Sequence, residues 1–198
     1  MIPEKNSDWG IMGGIFDPIH IGHLLLAEHA RQNFHLSGVI FVVSFDPPHR
    51  RQKPVASFEH RITMTKMAAE ENGTFLVSDL EKNMKGPGYT LNVIQNLDRL
   101  YPEVRWNLIL GVDNITIFDS WHQPEKLAEM VDILVGNRPG YQIDSHQTQW
   151  LNKVKPFDMP AVDISSSAIR KAIGARRSIR YLVPENVRQF IEKENLYQ

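Results

Sequence analysis

The chain has 198 residues, 42% of them hydrophobic and 23% charged, with a formal net charge of −1. That length suffices to bury one substantial core, and the composition is that of a globular protein rather than a disordered or fibrous one. The charge balance excludes the broad basic field that duplex nucleic acid attracts, so no nucleic-acid partner is expected and an anionic ligand must be held by a local cluster. Cysteine is absent, which removes disulfides and thiolate zinc sites and points to the cytoplasm. Met1 to Asp8 is polar, carrying Glu4, Lys5 and Asp8, so no secretory leader is expected there. No apolar run approaches the ~20 residues needed to span a bilayer, so no membrane partner is expected either.

Short apolar runs alternate with longer amphipathic ones. Trp9 to Met12 predicts a strand, followed by a glycine-rich turn and a helix over about Ile21 to Phe34. Val39 to Ser44 is β-branched and aromatic, the pattern of a buried strand. A polar, proline-containing loop (Asp46 to Pro54) leads to a helix over Phe58 to Glu71 and a short strand over Thr74 to Val77. Leu91, Ile94, Leu97 and Leu100 give Thr90 to Leu100 helical spacing. Arg105 to Leu110 and Val131 to Val135 read as strands with a helical stretch between them, and Asn137 to Gln149 as a polar loop. A last strand is expected over Ala161 to Ile164, running into a helix near Ser166, and Pro184 opens a C-terminal helix taken to span 184–198. The alternation predicts α/β architecture: a doubly wound, Rossmann-like parallel sheet with helices on both faces, within a single domain over 1–198. Ligands of such sheets bind beyond the carboxyl ends of the strands, so the turns after Met12, Ser44, Leu110 and Ile164 are where chemistry is expected.

The densest signal is Gly13-Gly14-Ile15-Phe16-Asp17-Pro18-Ile19-His20-Ile21-Gly22-His23. Paired glycines after a strand allow close approach of backbone to ligand. His20 and His23, three apart at a helix start, can point the same way, and that helix end already favours anions. Packed or solvated histidines are the bland alternative, weakened here because two of them flank a glycine. Ser165 and Ser166 precede a helix whose N-terminus is a second anion site, with Arg170 one turn on. Taken alone, an N-cap with a solvated arginine explains them as well. Arg176, Arg177 and Arg180 read as ordinary surface charge. Asp113, beyond a strand, suits ribose hydroxyls as well as it suits a turn. Trp121 is either core or a stacking platform, and His49, Arg50 and Arg51 either close over phosphates or are solvated.

The segment GGIFDPIHIGH resembles the H-x-G-H motif of the nucleotidylyltransferase superfamily. The likeness continues through Pro47-Pro48-His49, Glu59-His60-Arg61, Ser78-Asp79-Leu80-Glu81 and Gly86-Pro87-Gly88-Tyr89-Thr90. It goes on through Gly111-Val112-Asp113, Trp121, Asn137-Arg138-Pro139-Gly140-Tyr141, Ile164-Ser165-Ser166-Ser167-Ala168-Ile169-Arg170 and Tyr181-Leu182-Val183-Pro184. That ordered set resembles the bacterial nicotinate-nucleotide adenylyltransferases, which make deamido-NAD from ATP and nicotinate mononucleotide.

The resemblance implies an ATP site of Gly13, Gly14, Ile15, Phe16, His20, His23, Gly111, Asp113, Ile164, Ser165, Ser166 and Arg170. His20, His23 and Arg170 are the expected catalytic groups. It implies a mononucleotide site of Phe16, His49, Thr90, Trp121, His122 and Arg138, with Trp121 against the pyridine ring. ATP and nicotinate mononucleotide are then the partners, a homodimer is left open, and Mg²⁺ arrives with the ATP phosphates rather than on a protein cage.

Ile15 stands where the family usually has a small polar residue; Gly88, Val112 and Ser167 are milder departures. Nicotinamide mononucleotide and phosphopantetheine are the rival acceptors, although the family acting on the latter typically has threonine at the position of His20. The string HIGH also occurs in class I aminoacyl-tRNA synthetases, which need a longer chain and a K-M-S-K-S loop that this sequence lacks. A nucleotide-binding sensor without catalysis is the remaining alternative.

Overall fold

Five of the six predicted strands lie side by side in one sheet. The computed structural model describes residues 3–46, 53–137, 150 and 153–198. In chain order the elements are β1 (Asp8–Gly14), α1 (Ile21–Asn33), β2 (Gly38–Val43), α2 (Phe58–Ala69), β3 (Phe75–Ser78), α3 (Leu80–Asn83) and α4 (Thr90–Leu100). Then follow β4 (Arg105–Gly111), α5 (Val112–Ile115), a 3₁₀ turn (Phe118–Ser120), α6 (Pro124–Met130), β5 (Asp132–Asn137), β6 (Val154–Asp158), α7 (Ser166–Gly174) and α8 (Glu185–Lys193). The strand order is β3-β2-β1-β4-β5-β6, with every pairing parallel. The doubly wound expectation therefore holds.

Period-two alternation divides the core between the two faces of the sheet. Met12, Val39, Phe41, Val43, Ile109 and Leu134 join residues of α1, α2, α7 and α8 in one apolar cluster. Trp9, Ile11, Ile40, Val42, Leu108, Leu110, Ile133 and Val135 join α4, α5 and α6 in the other. Strands buried on both sides need apolar residues throughout, which is why all six residues of β2 are buried. Among the described residues no helix is long and apolar enough to cross a membrane.

The sixth strand is not where the sequence placed it. The last strand is Val154–Asp158, and residues 161–164 are irregular. Pro156 disguised β6, because proline is excluded from central strands but tolerated at an edge. β6 occupies the outer side of β5, from Ile133↔Val154 to Asn137↔Asp158, so Ala161 to Ile164 has no strand to pair with there. The C-terminal helix also ends early, at Lys193 rather than 198. Asn195 takes φ 51°, and the N–H groups of Leu196 and Asn195 donate back to the carbonyls of Ile191 and Glu192. That is a left-handed helix stop with asparagine in the place usually held by glycine.

The sheet opens between β1 and β4. These strands pair only from Asp8↔Arg105 to Ile11↔Leu108. Beyond that, Met12 to Gly14 stay paired with β2, while Ile109 to Gly111 stay paired with β5. The strand order reverses at the same place, so a crevice forms at the carboxyl ends, where doubly wound sheets bind their ligands.

Candidate active site

The crevice between β1 and β4 widens into a cleft of about 710 Å³. It collects Gly13, Gly14, Ile15, Phe16, His20 and His23 from the first turn, and Gly111 and Asp113 from the end of β4. Thr90, Trp121 and His122 stand on one wall, and Ile164, Ser165, Ser166 and Arg170 on another. Residues up to 159 positions apart in sequence, Ile11 and Arg170, thus share one cavity. His49 and Arg138 lie outside the described residues.

The first turn is shaped by close packing of aromatic rings on glycine. Gly13 and Gly14 prove to be the last residues of β1, not the turn after it. Phe16, in a left-handed conformation (φ 50°), folds its ring back over Gly14, where an added Cβ would stand 2.8 Å from that ring. The Phe16 ring meets His23 edge-on, with centroids 5.1 Å apart. His20 and His23 stack on each other at 3.6 Å. Gly22 makes this possible, since a Cβ there would lie 3.1 Å from Nδ1 of His20.

His20 is the N-cap of α1, and its main-chain N–H donates to Nδ1 of His23 at 3.2 Å. A histidine here does the reciprocal half of a capping box, a task usually given to Glu or Gln. With Nδ1 accepting, a neutral His23 ring carries its proton on Nε2. Burial, reinforced by the neighbouring His20, holds the His23 pKa well below the usual 6.5. His23 is therefore a neutral imidazole at pH 7 with an N–H donor opposite the end it uses for capping.

At the opposite lip, Ser165 caps α7, its hydroxyl accepting from the N–H of Ala168 at 3.2 Å. The hydroxyl of Ser166 donates to the carbonyl of Pro18 at 2.8 Å. Its proton thus ties α7 to the first turn instead of facing a ligand, a division of labour that sequence did not foresee. The main-chain N–H groups of Ser166 and Ser167 begin the helix without an intrahelical acceptor, the kind of donor that favours an anion. Arg170 donates to the main-chain carbonyl of Asp17 at 2.7 Å and lies 3.9 Å from its carboxylate.

On the far wall, the Trp121 ring rests on Phe118 at 5.2 Å and remains half-buried. The His122 ring stacks on Tyr89 at 4.3 Å, immediately before Thr90, which begins α4. Asp113 is exposed at the cleft mouth, in the first turn of α5.

Several groups that support this site carried no role in the sequence reading. Arg61, 1% exposed, donates through one guanidinium nitrogen to the carbonyls of Ile15 at 2.8 Å and Ser44 at 2.7 Å. It thereby locks the ends of β1 and β2 together. Glu81, 8% exposed, accepts from the N–H of Phe45 at 3.0 Å and lines the cleft. Burial raises its pKa to about 7, against the opposing pull of the hydrogen bonds it accepts from Phe45 and from the Ser44 hydroxyl, and of Arg61. Asp17, 4% exposed, accepts from the N–H groups of Val55 and Ala56 and from the hydroxyl of Tyr197. For Asp17 the signal was its place inside the densest motif. Arg61 and Glu81 stood in two motifs of the family likeness, Glu59-His60-Arg61 and Ser78-Asp79-Leu80-Glu81, without a role attached to either.

A parallel sheet split at its switch point, with two anion-favouring helix starts facing an aromatic wall, is the layout of an α/β protein that binds an extended phosphorylated ligand. Residues 11–172 match the family model described as cytidylyltransferase-like. A relative from Exiguobacterium sibiricum, named probable nicotinate-nucleotide adenylyltransferase, is 40% identical over 190 residues, covering 95% of this chain and 97% of its own. Another of that name, from Thermus thermophilus, is 40% identical over 189 residues, covering 96% and 98%. Among solved structures, the nicotinic acid mononucleotide adenylyltransferase of Plasmodium falciparum complexed with NaAD superposes with a TM-score of 0.78. That match has 24% identity over 96% of this chain and 97% of the other, a likeness of fold. The chain belongs to the cytidylyltransferase-like family and, within it, to the nicotinate-nucleotide adenylyltransferases.

Proposed function

We infer that this protein transfers the adenylyl group of ATP to nicotinate mononucleotide, giving deamido-NAD and pyrophosphate in NAD biosynthesis. The observation that carries the reading is the convergence, in one cleft, of the stacked His20–His23 pair, the α7 start with Arg170, and the Trp121 wall. The names of the bacterial relatives support the choice of acceptor.

In this reading an oxygen of the mononucleotide 5′-phosphate attacks the α-phosphorus of ATP, and the bond to the β-phosphate oxygen breaks in line. A phosphate is already a competent nucleophile, so no covalent enzyme intermediate is required. Catalysis reduces to positioning and to stabilising charge on the transferring group. His23 offers its Nε2 proton to a phosphate oxygen without carrying a charge of its own. His20, packed against it, assists at the same group. Arg170 and the α7 amides take the pyrophosphate. Trp121 stacks on the pyridine ring, and donors near Thr90 and His122 face the acceptor's carboxylate, where an unpaired buried polar group would be costly.

Mg²⁺ fits as a companion of the ATP phosphates, supplying charge neutralisation there. Among the described residues no group of three or more His, Asp or Glu side chains could cage a metal, and Asp17 is already engaged by backbone amides and Tyr197. A cytoplasmic setting belongs to the same proposal and rests on the cysteine-free composition.

Pyrophosphate release from ATP, measured separately with nicotinate mononucleotide, nicotinamide mononucleotide and phosphopantetheine, tests the reading. Fastest turnover is expected with nicotinate mononucleotide. Fastest turnover with phosphopantetheine would overturn the acceptor, and silence with all three would favour a nucleotide-binding sensor.

A further inference from the structure

We propose that Tyr197 is a positioning residue for the phosphate site, acting through Asp17 to hold Arg170 in its working orientation. The proposed reaction makes no use of Tyr197, yet the chain goes out of its way to deliver its hydroxyl. After α8 the backbone adopts left-handed conformations at Asn195 (φ 51°) and again at Tyr197 (φ 67°). The second is unfavourable for a bulky residue and persists only when its surroundings impose it. The half-buried ring packs against the core cluster of α1, α2, α7 and α8, and its hydroxyl donates to Oδ1 of Asp17 at 2.7 Å.

Asp17 is the hinge between that hydroxyl and Arg170. Its Oδ1 also accepts from the N–H of Ala56 at 3.1 Å, and its Oδ2 from the N–H of Val55 at 2.8 Å. Arg170 faces two acceptors on the same residue: the main-chain carbonyl, taken at 2.7 Å, and the carboxylate, kept at 3.9 Å. A guanidinium that close to a carboxylate is drawn toward a bidentate pair. The oxygen nearest Arg170 is Oδ2, and the Tyr197 hydroxyl occupies Oδ1, the second oxygen that a bidentate pair would need, which restrains that collapse. Arg170 is thus tethered by a single carbonyl bond and keeps its remaining donors for phosphate. The hydroxyl is a dependable donor, because burial and the adjacent Asp17 carboxylate push its pKa far above the ordinary tyrosine value.

Tyr197→Phe keeps the ring and its packing and removes only the hydroxyl. The first measurement is calorimetric binding of inorganic pyrophosphate to wild type, Tyr197→Phe, Asp17→Asn and the double variant. Steady-state kinetics with ATP and nicotinate mononucleotide accompany it, with a thermal melt of each protein. Tyr197→Phe is expected to weaken pyrophosphate binding about tenfold and lower kcat about tenfold. KM for the mononucleotide should stay close to wild type, and the melting temperature should fall by only a few degrees.

On the Asp17→Asn background, where no carboxylate competes for Arg170, removing the hydroxyl should have almost no further effect. Wild-type pyrophosphate binding in Tyr197→Phe, or a lowered melting temperature with unchanged binding per folded molecule, would overturn the proposal. Failure of wild type to bind pyrophosphate at all would do the same. The proposal rests on the adenylyl-transfer reading for the role of Arg170, but pyrophosphate binding needs no acceptor. Weakened binding in Tyr197→Phe from an enzyme inactive on nicotinate mononucleotide would therefore sink the function and leave the positioning role standing.

Discussion

The main-chain N–H of His20 donates to Nδ1 of His23, and the two rings stack 3.6 Å apart. One contact caps a helix, sets a tautomer and aims a donor into the cleft. Few other side chains could do all three. A carboxylate at position 23 would complete the cap but would repel phosphate.

His23→Ala is expected to lower kcat by about 10²–10³-fold, the usual loss for a positioned donor in a water-poor site. The N-cap amide of His20 can turn to water, so the melting temperature should fall by only a few degrees. Pyrophosphate release and a thermal melt on the same preparation check both halves. Near-normal turnover would remove His23 from the chemistry.

Glu81 makes stability depend on pH in a direction opposite to that of most carboxylates. Its carboxyl titrates at about 7 in the folded chain, against 4.5 as the ordinary value. The folded protein therefore holds the proton more tightly than the unfolded chain does. The associated stabilisation is complete below pH about 4.5 and is lost as pH rises through about 7. Glu81→Gln keeps an acceptor for the N–H of Phe45 and carries no charge. It should stabilise the protein by up to about 3 kcal/mol at pH 8 and by less than about 1 kcal/mol at pH 5. Urea denaturation at the two pH values decides, and an equal effect at both would contradict the assignment.

Trp121→Ala separates the two substrates. Stacking a flat ring on an aromatic side chain is worth about 1–3 kcal/mol, so KM for nicotinate mononucleotide should rise about 5- to 150-fold. KM for ATP, whose phosphates the proposed reaction places on the other lip, should change by less than about twofold. An equal rise in both would mean that Trp121 supports the fold of the cleft rather than the acceptor.

Much of this was legible from local order. Strand and helix periodicity is set by which residues must face a core, so β2, β4 and α4 were readable almost to the residue, whereas β1 runs on through the two glycines that read as a turn. The glycine–histidine run and the serine–arginine run stood out because a helix start favours anions whatever fold surrounds it. β6 escaped because its proline is unfavourable in a central strand and harmless at an edge, and position within a sheet is not a local property.

Residue type and spacing by themselves determined the layered α/β class and the two anion-favouring helix starts, and the ordered motifs carried the resemblance to the family. The tertiary structure alone decided which donors those starts have left to offer. Ser166 spends its proton on Pro18, Arg61 bridges two strand ends, and Glu81 is buried. Tyr197 reaches back across 180 positions to Asp17. The physical reason is that a hydrogen bond saturates: whether a hydroxyl or guanidinium is available to a ligand depends on what else is near it, and only folding brings those neighbours together.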